Sequence, residues 1–317
     1  MKHWVVDDPG DAVAMEFAVR APHPRLADHV VIYVGQDFTH PNPIRRRVGA
    51  LNTVTLAIDF EQSQRREMIG PVIGPWRRSG SPVTGPSDQP MMFEQSGREF
   101  GMNIELTPLG AYALFGLPLC ALTNLSVDLA DLLGAHGRRL TEQLAETPGW
   151  AARFDLLDDH LTTHLGRGPD LPPQVYGAWQ RLIATSGNIA IGALADETGW
   201  TRQHLRRMFR QHIGLPPKTV ARIARLHRTV RIMTLPGARL PQIAEESGYF
   251  DQSHLNHDFR ALTGYSPTEF SALFDSGHRV FMGAGLAMTV NGAIDLERPT
   301  NTIAIERFTD RLQPTGA

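Results

Sequence analysis

The sequence is short of cysteine, because its 317 residues include a single one, Cys120. One cysteine excludes an internal disulfide and a zinc site built from several cysteines. Cys120 lies in an apolar run over residues 116–122, and a free cysteine commonly behaves as a small apolar side chain. We therefore predict a buried structural thiol. A methyl-acceptor role is disfavoured, because the sequence places no base beside the thiol.

Long hydrophobic runs are also missing. No apolar run reaches the roughly 18 residues that a transmembrane helix needs. The first eight residues lack the charged-then-apolar order of a signal peptide. With 42% hydrophobic and 20% charged residues, the composition is typical of a folded globular protein, and the length favours two domains. We expect a cytoplasmic protein with no membrane partner.

Acidic residues are absent from one stretch of the chain. Between Gly199 and Ala244 there is no aspartate or glutamate, although ten lysine and arginine residues occur there. Residues 174–275 carry 12 basic and 8 acidic side chains, whereas the rest of the chain carries 19 and 25. The formal net charge of −2 therefore hides a basic region, as expected of a nucleic-acid-binding surface. A solvated helix face is the alternative, but such faces normally mix both signs.

The first half of the chain predicts strands followed by helices. The strand-like segments, two of them with strict apolar alternation, are residues 13–19, 29–35, 52–60 and 99–106. From about Pro108 the apolar spacing becomes helical. We therefore predict an α+β protein, in which residues 1–165 form a mixed β-rich N-terminal domain with helices.

The second half predicts helices alone. Residues 166–173 have no apolar period and are rich in glycine and proline, so we interpret them as a linker. Residues 174–274 have helical spacing throughout and form the predicted all-α second domain. Residues 275–317 change character again and are a C-terminal tail to which we assign no function.

The helical segment contains one pattern twice. Leu194–Trp200 resembles Ile243–Tyr249 at an offset of 49 residues. Three further pairs match at an offset of 50, namely His204-Leu205 with His254-Leu255, Phe209-Arg210 with Phe259-Arg260, and Gly214–Pro217 with Gly264–Pro267. Matches over nearly thirty positions, with one residue inserted in the second turn, indicate a repeated structural unit.

Each copy has the layout of a helix-turn-helix. Gly199 and Gly248 suit a turn through left-handed backbone, and Thr201 and Asp251 suit the N-cap of a second helix. That helix would bury two apolar side chains four residues apart and expose the opposite face. In the first copy this face carries Arg202, Gln203, Arg206, Arg207 and Arg210, and in the second it carries Gln252, Ser253, Asn256, His257 and Arg260.

The exposed side chains suit base reading. Arginine can donate two hydrogen bonds to guanine, glutamine or asparagine can pair with adenine, and the second helix of such a unit enters the major groove. A helix from Pro217 to about residue 235 should join the copies. Its roughly 18 residues span about 27 Å, which is near the ~34 Å between successive major-groove faces.

Together these motifs make residues 174–274 resemble the DNA-binding domain of the AraC/XylS family of bacterial transcription regulators. The resemblance implies tandem helix-turn-helix units bound to double-stranded promoter DNA, with RNA polymerase as a partner and no cofactor. Carried over by position, the base-reading residues are Gln203, Arg206, Arg207, Gln252, Ser253 and His257. The predicted backbone contacts are Arg202, Arg210, Lys218, Arg222 and Arg260.

The second copy departs from the family pattern. It has Asn256, His257 and Asp258 where basic residues are common, so we expect a weaker hold on DNA and partial repulsion from Asp258. The first domain is similar, less specifically, to the N-terminal region of a group of relatives, through Leu26–Val30, 69–71 and Leu129–Gly134. That similarity implies a sensor or regulatory domain and leaves a small-molecule effector, a homodimer or both open.

Rival functions have less support in the sequence. It contains no Walker loop, G-x-S-x-G or H-E-x-x-H motif, so we expect no enzyme. His254 and His257 stand three residues apart and could hold a metal ion, but no cysteine is near them, so we predict no metal site. A protein-interaction module that reuses the helical fold without specific DNA readout is the main alternative.

Overall fold

The computed structural model describes residues 1–7, 14–61, 63–69, 72–78, 80–233, 237 and 239–275. Two large groups of buried apolar side chains form most of the interior of the described residues. One is drawn from residues 18–165, and the other comes almost entirely from residues 171–270. A sheet and helices contribute to the first group and helices to the second, which confirms the predicted α+β fold class. The domain limits, 1–165 and 174–274, stay predictions.

The described residues contain ten strands in one antiparallel sheet. They are β1 (Lys2–Asp7), β2 (Ala14–Arg20), β3 (Val30–Val48), β4 (Val54–Asp59), β5 (Gln64–Ile69), β6 (Val72–Ile73), β7 (Arg77–Arg78), β8 (Pro82–Thr84), β9 (Met91–Leu106) and β10 (Ser126–Asp128). The main path through the sheet is β1-β2-β3-β9-β4-β8-β10, and β5 also pairs with β9.

The sheet is organised around two long strands, β3 with 19 residues and β9 with 16. They pair along most of their length, while β4 and β5 occupy successive parts of the other edge of β9. The sequence predicted only residues 29–35 and 99–106 of this pair as strands. The second half of β3 carries polar residues such as Arg45, Arg46 and Arg47. This half of β3 is a strand because it pairs with β9, and not because its apolar residues alternate.

Four helices complete the first half: α1 (Pro108–Phe115), α2 (Leu129–Leu133), α3 (Ala135–Glu146) and α4 (Trp150–Leu165). The apolar side chains of α4 recur at three- and four-residue spacing, so Phe154, Leu157 and Leu161 are all buried. Phe154 stacks on Tyr33 of β3, with 5.9 Å between ring centroids. The alternation predicted for β4 is confirmed, since Val54, Leu56 and Ile58 are also buried.

Seven helices follow in the described part of the second half. They are α5 (Pro173–Ala184), α6 (Ile191–Thr198), α7 (Arg202–Ile213), α8 (Pro217–Met233), α9 (Leu240–Glu246), α10 (Gln252–Thr263) and α11 (Pro267–Asp275). The predicted joining helix is α8, whose 17 residues span about 26 Å. Val220, Ile223 and Leu226 fix α8 in the second core, where all three are fully buried.

The predicted linker, residues 166–173, packs closely on its surroundings. A Cβ added to Gly168 would lie 1.9 Å from the carbonyl oxygen of Ala113 in α1, so only glycine fits there. Leu171 is buried in the second core, and Pro173 opens α5. The segment therefore holds α1 and the second core close together.

The prediction that Cys120 is buried is wrong, because the cysteine is exposed. Cys120 lies in a short 3-10 helix, Leu119–Ala121, in which Leu119 is the buried residue. Of the predicted tail, residues 275–317, all but Asp275 lie outside the described residues. Among the described helices, none has the length and apolar character needed to cross a membrane.

Candidate nucleic-acid interface

The first unit consists of α6, a turn and α7. Gly199 ends α6 with a φ of +70°, the left-handed conformation predicted for this position. Thr201 then caps α7, since its hydroxyl oxygen accepts the backbone N–H of His204 at 3.1 Å. Leu205 and Phe209 are fully buried and fix which face of α7 points inward.

The outward face of α7 is cationic. Its exposed side chains are those predicted from the sequence: Arg202, Gln203, Arg206, Arg207 and Arg210. Among the described residues, no carboxylate forms an ion pair with these four arginines. Arg207 is oriented by His204, with 3.3 Å between Nη2 and Nδ1. The helix therefore carries four cations and one amide that are free to meet an anionic partner.

The second unit repeats this construction with α9 and α10. Gly248 has a φ of +77°, and Asp251 caps α10 by accepting the N–H of His254 at 2.7 Å. Leu255 and Phe259 are fully buried, as their counterparts are in the first unit. The exposed face carries Gln252, Ser253, Asn256, His257 and Arg260. Arg206 and Gln252 are both exposed, as base reading by both helices requires.

Phe250 is a candidate contact that the sequence analysis did not identify. It belongs to the longer turn of the second unit and is 92% exposed, directly before the cap of α10. An apolar side chain at the start of a recognition helix is suited to the methyl group of thymine. The one-residue insertion was the available signal, but exposure of an aromatic residue cannot be read from the inserted position alone.

Comparison with known proteins matches the same region. Residues 194–272 fit a family model described as a helix-turn-helix domain. Residues 194–272 are thus a helix-turn-helix domain, called the AraC-type domain because it resembles that of the AraC/XylS family. The AraC/XylS family consists of transcription regulators and is not an enzyme class.

Two curated relatives are similar to part of the chain. The F1 operon positive regulatory protein of Yersinia pestis is 26% identical over 82 residues, which cover 26% of this chain and 27% of the relative. An HTH-type transcriptional regulator of Bacillus subtilis, YbfI, is 29% identical over 68 residues, 22% of this chain and 24% of the relative. The chain thus spans about a quarter of the length of the curated relatives it matches.

Two solved structures are similar to the chain at lower sequence identity than the curated relatives. ToxT from Vibrio cholerae aligns with 81% of this chain and 98% of its own, at a TM-score of 0.41 and 12% identity. The C-terminal domain of AraT from Geobacillus stearothermophilus aligns with 32% of this chain and 86% of its own, at a TM-score of 0.30 and 21% identity.

Asp258 of the AraC-type domain does not lie on the face that would meet DNA, so the predicted repulsion is wrong. Its side chain is 7% exposed and forms an ion pair with Arg222 of α8 at 2.8 Å. Both Nε and Nη2 of Arg222 donate to Asp258 Oδ1. Arg222 was predicted to contact the DNA backbone, but two of its donor groups instead join α8 to α10.

Other arginines of α8 are also used inside the domain. Arg225 donates to the carbonyl of Gly187 at 3.1 Å, and its guanidinium lies 5.3 Å from the ring centroid of Tyr249. Arg228 donates to the carbonyl of Glu246 at 2.9 Å. These residues belong to the stretch that lacks acidic side chains, and the structure uses them to hold the second unit. Lys218, at the start of α8, remains exposed.

Arg260, another predicted backbone contact, is exposed at the end of α10. Its Nη2 lies 3.1 Å from a carboxylate oxygen of Glu269, and the two side chains are 60% and 54% exposed. The same carboxylate accepts the N–H of Ser266, which lowers the pKa of Glu269. An exposed pair of this kind contributes little to stability, so Arg260 can exchange its partner for a phosphate.

The N-terminal half of the chain, residues 1–165, contacts both units of the AraC-type domain at equivalent points. Gly214 and Gly264 end α7 and α10 in left-handed backbone, 50 residues apart. The hydroxyl of Thr123 donates to the carbonyl of Gly214 at 2.8 Å. Arg47 Nη1 donates to the carbonyl of Gly264 at 2.9 Å. Each recognition helix is thus held at its C-terminal end by a side chain from the first half.

Further contacts extend these two points. The ring of His212, at the end of α7, meets Tyr112 of α1 edge to face at 4.8 Å, and burial lowers the pKa of His212. The N–H of Ala50 donates to the carbonyl of Leu262 at 2.7 Å, and Ala50 is buried within the second core. A shift of the first half would therefore reach both recognition helices.

Proposed function

We propose that the protein is a sequence-specific transcription regulator that reads double-stranded promoter DNA with α7 and α10. The observation that carries the proposal is the repeated unit, which presents two capped helices with exposed arginine, amide and histidine side chains. The family of the domain and the regulator names of both curated relatives support it.

The residue roles are proposed from exposure and chemistry. The base-reading set is Gln203, Arg206, Arg207, Gln252, Ser253 and His257, with Phe250 as an apolar addition. Arg202, Arg210, Lys218 and Arg260 serve phosphates, because each is exposed and cationic. Arg222 leaves the phosphate set because Asp258 occupies two of its donors.

The N-terminal half is proposed to control the spacing and tilt of the two helices. The hydrogen bonds from Thr123 to Gly214 and from Arg47 to Gly264 support this role, because they act on equivalent ends of α7 and α10. Reading two successive grooves depends on the relative position of both helices. A small-molecule effector, RNA polymerase and a second copy of the chain are the partners through which such control would act.

The experiment is selection of genomic DNA fragments by the full-length chain, with R206A/R207A as the comparison. We expect wild-type protein to enrich a shared sequence with two half-sites about one helical turn apart. The double variant should lose that enrichment while keeping its thermal stability, because both side chains are exposed. Enrichment without a shared sequence, or unchanged enrichment by the variant, would contradict the proposal and favour a protein-interaction module.

A further inference from the structure

Three histidines of the N-terminal half converge where α3 and α4 pack together. His136 lies in the first turn of α3, and His160 and His164 lie one turn apart on α4. Residues at positions i and i+4 share a helix face, so both α4 rings point towards α3. The three ring centroids are 4.2 to 4.8 Å apart.

Their nitrogen atoms are close enough to share one ion. One ring nitrogen from each histidine lies within 4.8 Å of those from the other two, and no other group of three potential ligands occurs among the described residues. Tetrahedral zinc with Zn–N distances near 2.0–2.1 Å separates its nitrogen ligands by about 3.4 Å. A small rotation of the rings would close the difference.

The hydrogen bonding of the cluster is incomplete. Nε2 of His136 and Nε2 of His160 are buried without a hydrogen-bond partner among the described residues. Buried polar atoms normally have a partner, so two unpaired ring nitrogens in a cluster of three histidines point to a role in binding a ligand. His164 is already oriented, since its Nδ1 lies 2.8 Å from the carbonyl oxygen of His160. A metal-bound histidine commonly uses its other ring nitrogen in this way.

We propose that His136, His160 and His164 form a binding site for one divalent transition-metal ion. Three imidazole ligands suit the borderline ions Zn²⁺, Co²⁺, Ni²⁺ and Cu²⁺, and leave a fourth position for water or another ligand. The ion would join α3 to α4. The site lies outside the AraC-type domain and does not depend on the proposed function.

The test is titration of the metal-free full-length protein with Co²⁺, followed by visible absorption. We expect one equivalent to bind, with the intense ligand-field bands of tetrahedral Co²⁺, and Zn²⁺ to displace it. H160A and H164A should each weaken Co²⁺ binding by about a hundredfold or more. H257A is the matched control, because His257 belongs to the exposed pair on α10, and it should bind Co²⁺ as wild type does.

Folding of the variants is checked separately by thermal unfolding without metal. Should H160A unfold, H136A provides the same test from the start of α3. Absence of tetrahedral bands in the wild type would overturn the proposal. So would Co²⁺ binding that survives both H160A and H136A, or binding that is lost in H257A.

Discussion

The two recognition helices share one fold but carry different charge. Arg202, Arg206 and Arg207 of α7 occupy the positions that Gln252, Asn256 and His257 occupy in α10. The exposed arginine of α10, Arg260, stands beside Glu269. From this comparison we propose a division of labour, in which α7 supplies most of the attraction to phosphates and α10 contributes neutral hydrogen-bonding groups.

The two units also differ in what fixes them. Met208 faces partly outward in the first unit, whereas its counterpart in the second, Asp258, is buried against Arg222. The end of α7 rests on α1 through His212, and the counterpart of His212 in α10 is Leu262. A charged pair therefore ties the second unit to α8, while the first unit depends on a neutral histidine at the boundary with the N-terminal half.

The largest effect should come from R222A, which would leave the carboxylate of Asp258 buried without its partner. Loss of one partner of a buried pair costs about 3 kcal/mol at the lower end of the usual range, and Arg222 is only partly buried. Urea unfolding should show this loss. K218A on the same helix is the control and should unfold as wild type does, because Lys218 is exposed. Equal stability of the two variants would mean that the second unit is not held by this pair.

The next effect concerns specificity in the first unit. R207A should weaken binding to the selected DNA site by about 1–3 kcal/mol and relax preference at one base pair. H257A, at the equivalent position of α10, should relax preference at a different base pair in the other half-site. Fluorescence anisotropy with single-base-pair variants of the site measures both. An equal loss on random DNA would make Arg207 a backbone contact instead.

The contact of the first unit with the N-terminal half should make the stability of the protein depend on pH, because it contains His212. Because burial lowers the pKa of His212, the unfolded chain binds a proton there more readily than the folded chain as pH falls below about 6.5. The stability that the neutral ring of His212 contributes is fully present above this pH. It is lost below this pH, by at most about 1.4 kcal/mol of unfolding free energy per pH unit for one group. H212L, which introduces the residue of the second unit, should reduce the stability lost between pH 7.5 and 5.5. H257Q should leave that loss unchanged; the same reduction in both variants would argue against His212.

The smallest effect should come from F250A. The side chain is 92% exposed, so its removal should leave the melting temperature unchanged. If Phe250 covers a thymine methyl group, the variant should weaken specific binding by about 1 kcal/mol, as expected for loss of modest apolar burial. Electrophoretic mobility shifts on the selected site measure this, with F250L as the control that keeps apolar surface. If F250A bound the selected site as tightly as wild type, Phe250 would make no contact with the DNA.

The sequence was most informative where a short-range pattern determines the structure. The repeat predicted the caps Thr201 and Asp251, the left-handed glycines and the exposed faces of both helices, because spacing along one helix decides them. It was least informative where burial depends on distant segments. The partner of Arg222 is 36 residues away, and the contact between Arg47 and Gly264 spans 217. The exposure of Cys120 and the polar ends of β3 and β9 depend on such packing too.

The division of labour is tested most directly by the salt dependence of DNA binding. Plots of log K against log salt concentration would be compared for wild type, R202A/R210A in α7 and N256A/H257A in α10, on the selected site at pH 8. We expect the slope to fall by about 2 in R202A/R210A, because Arg202 and Arg210 are the proposed phosphate contacts of α7 and each such contact contributes nearly 1, and to stay unchanged in N256A/H257A. Equal slopes in the two double variants, or a wild-type affinity that does not respond to salt, would contradict the account.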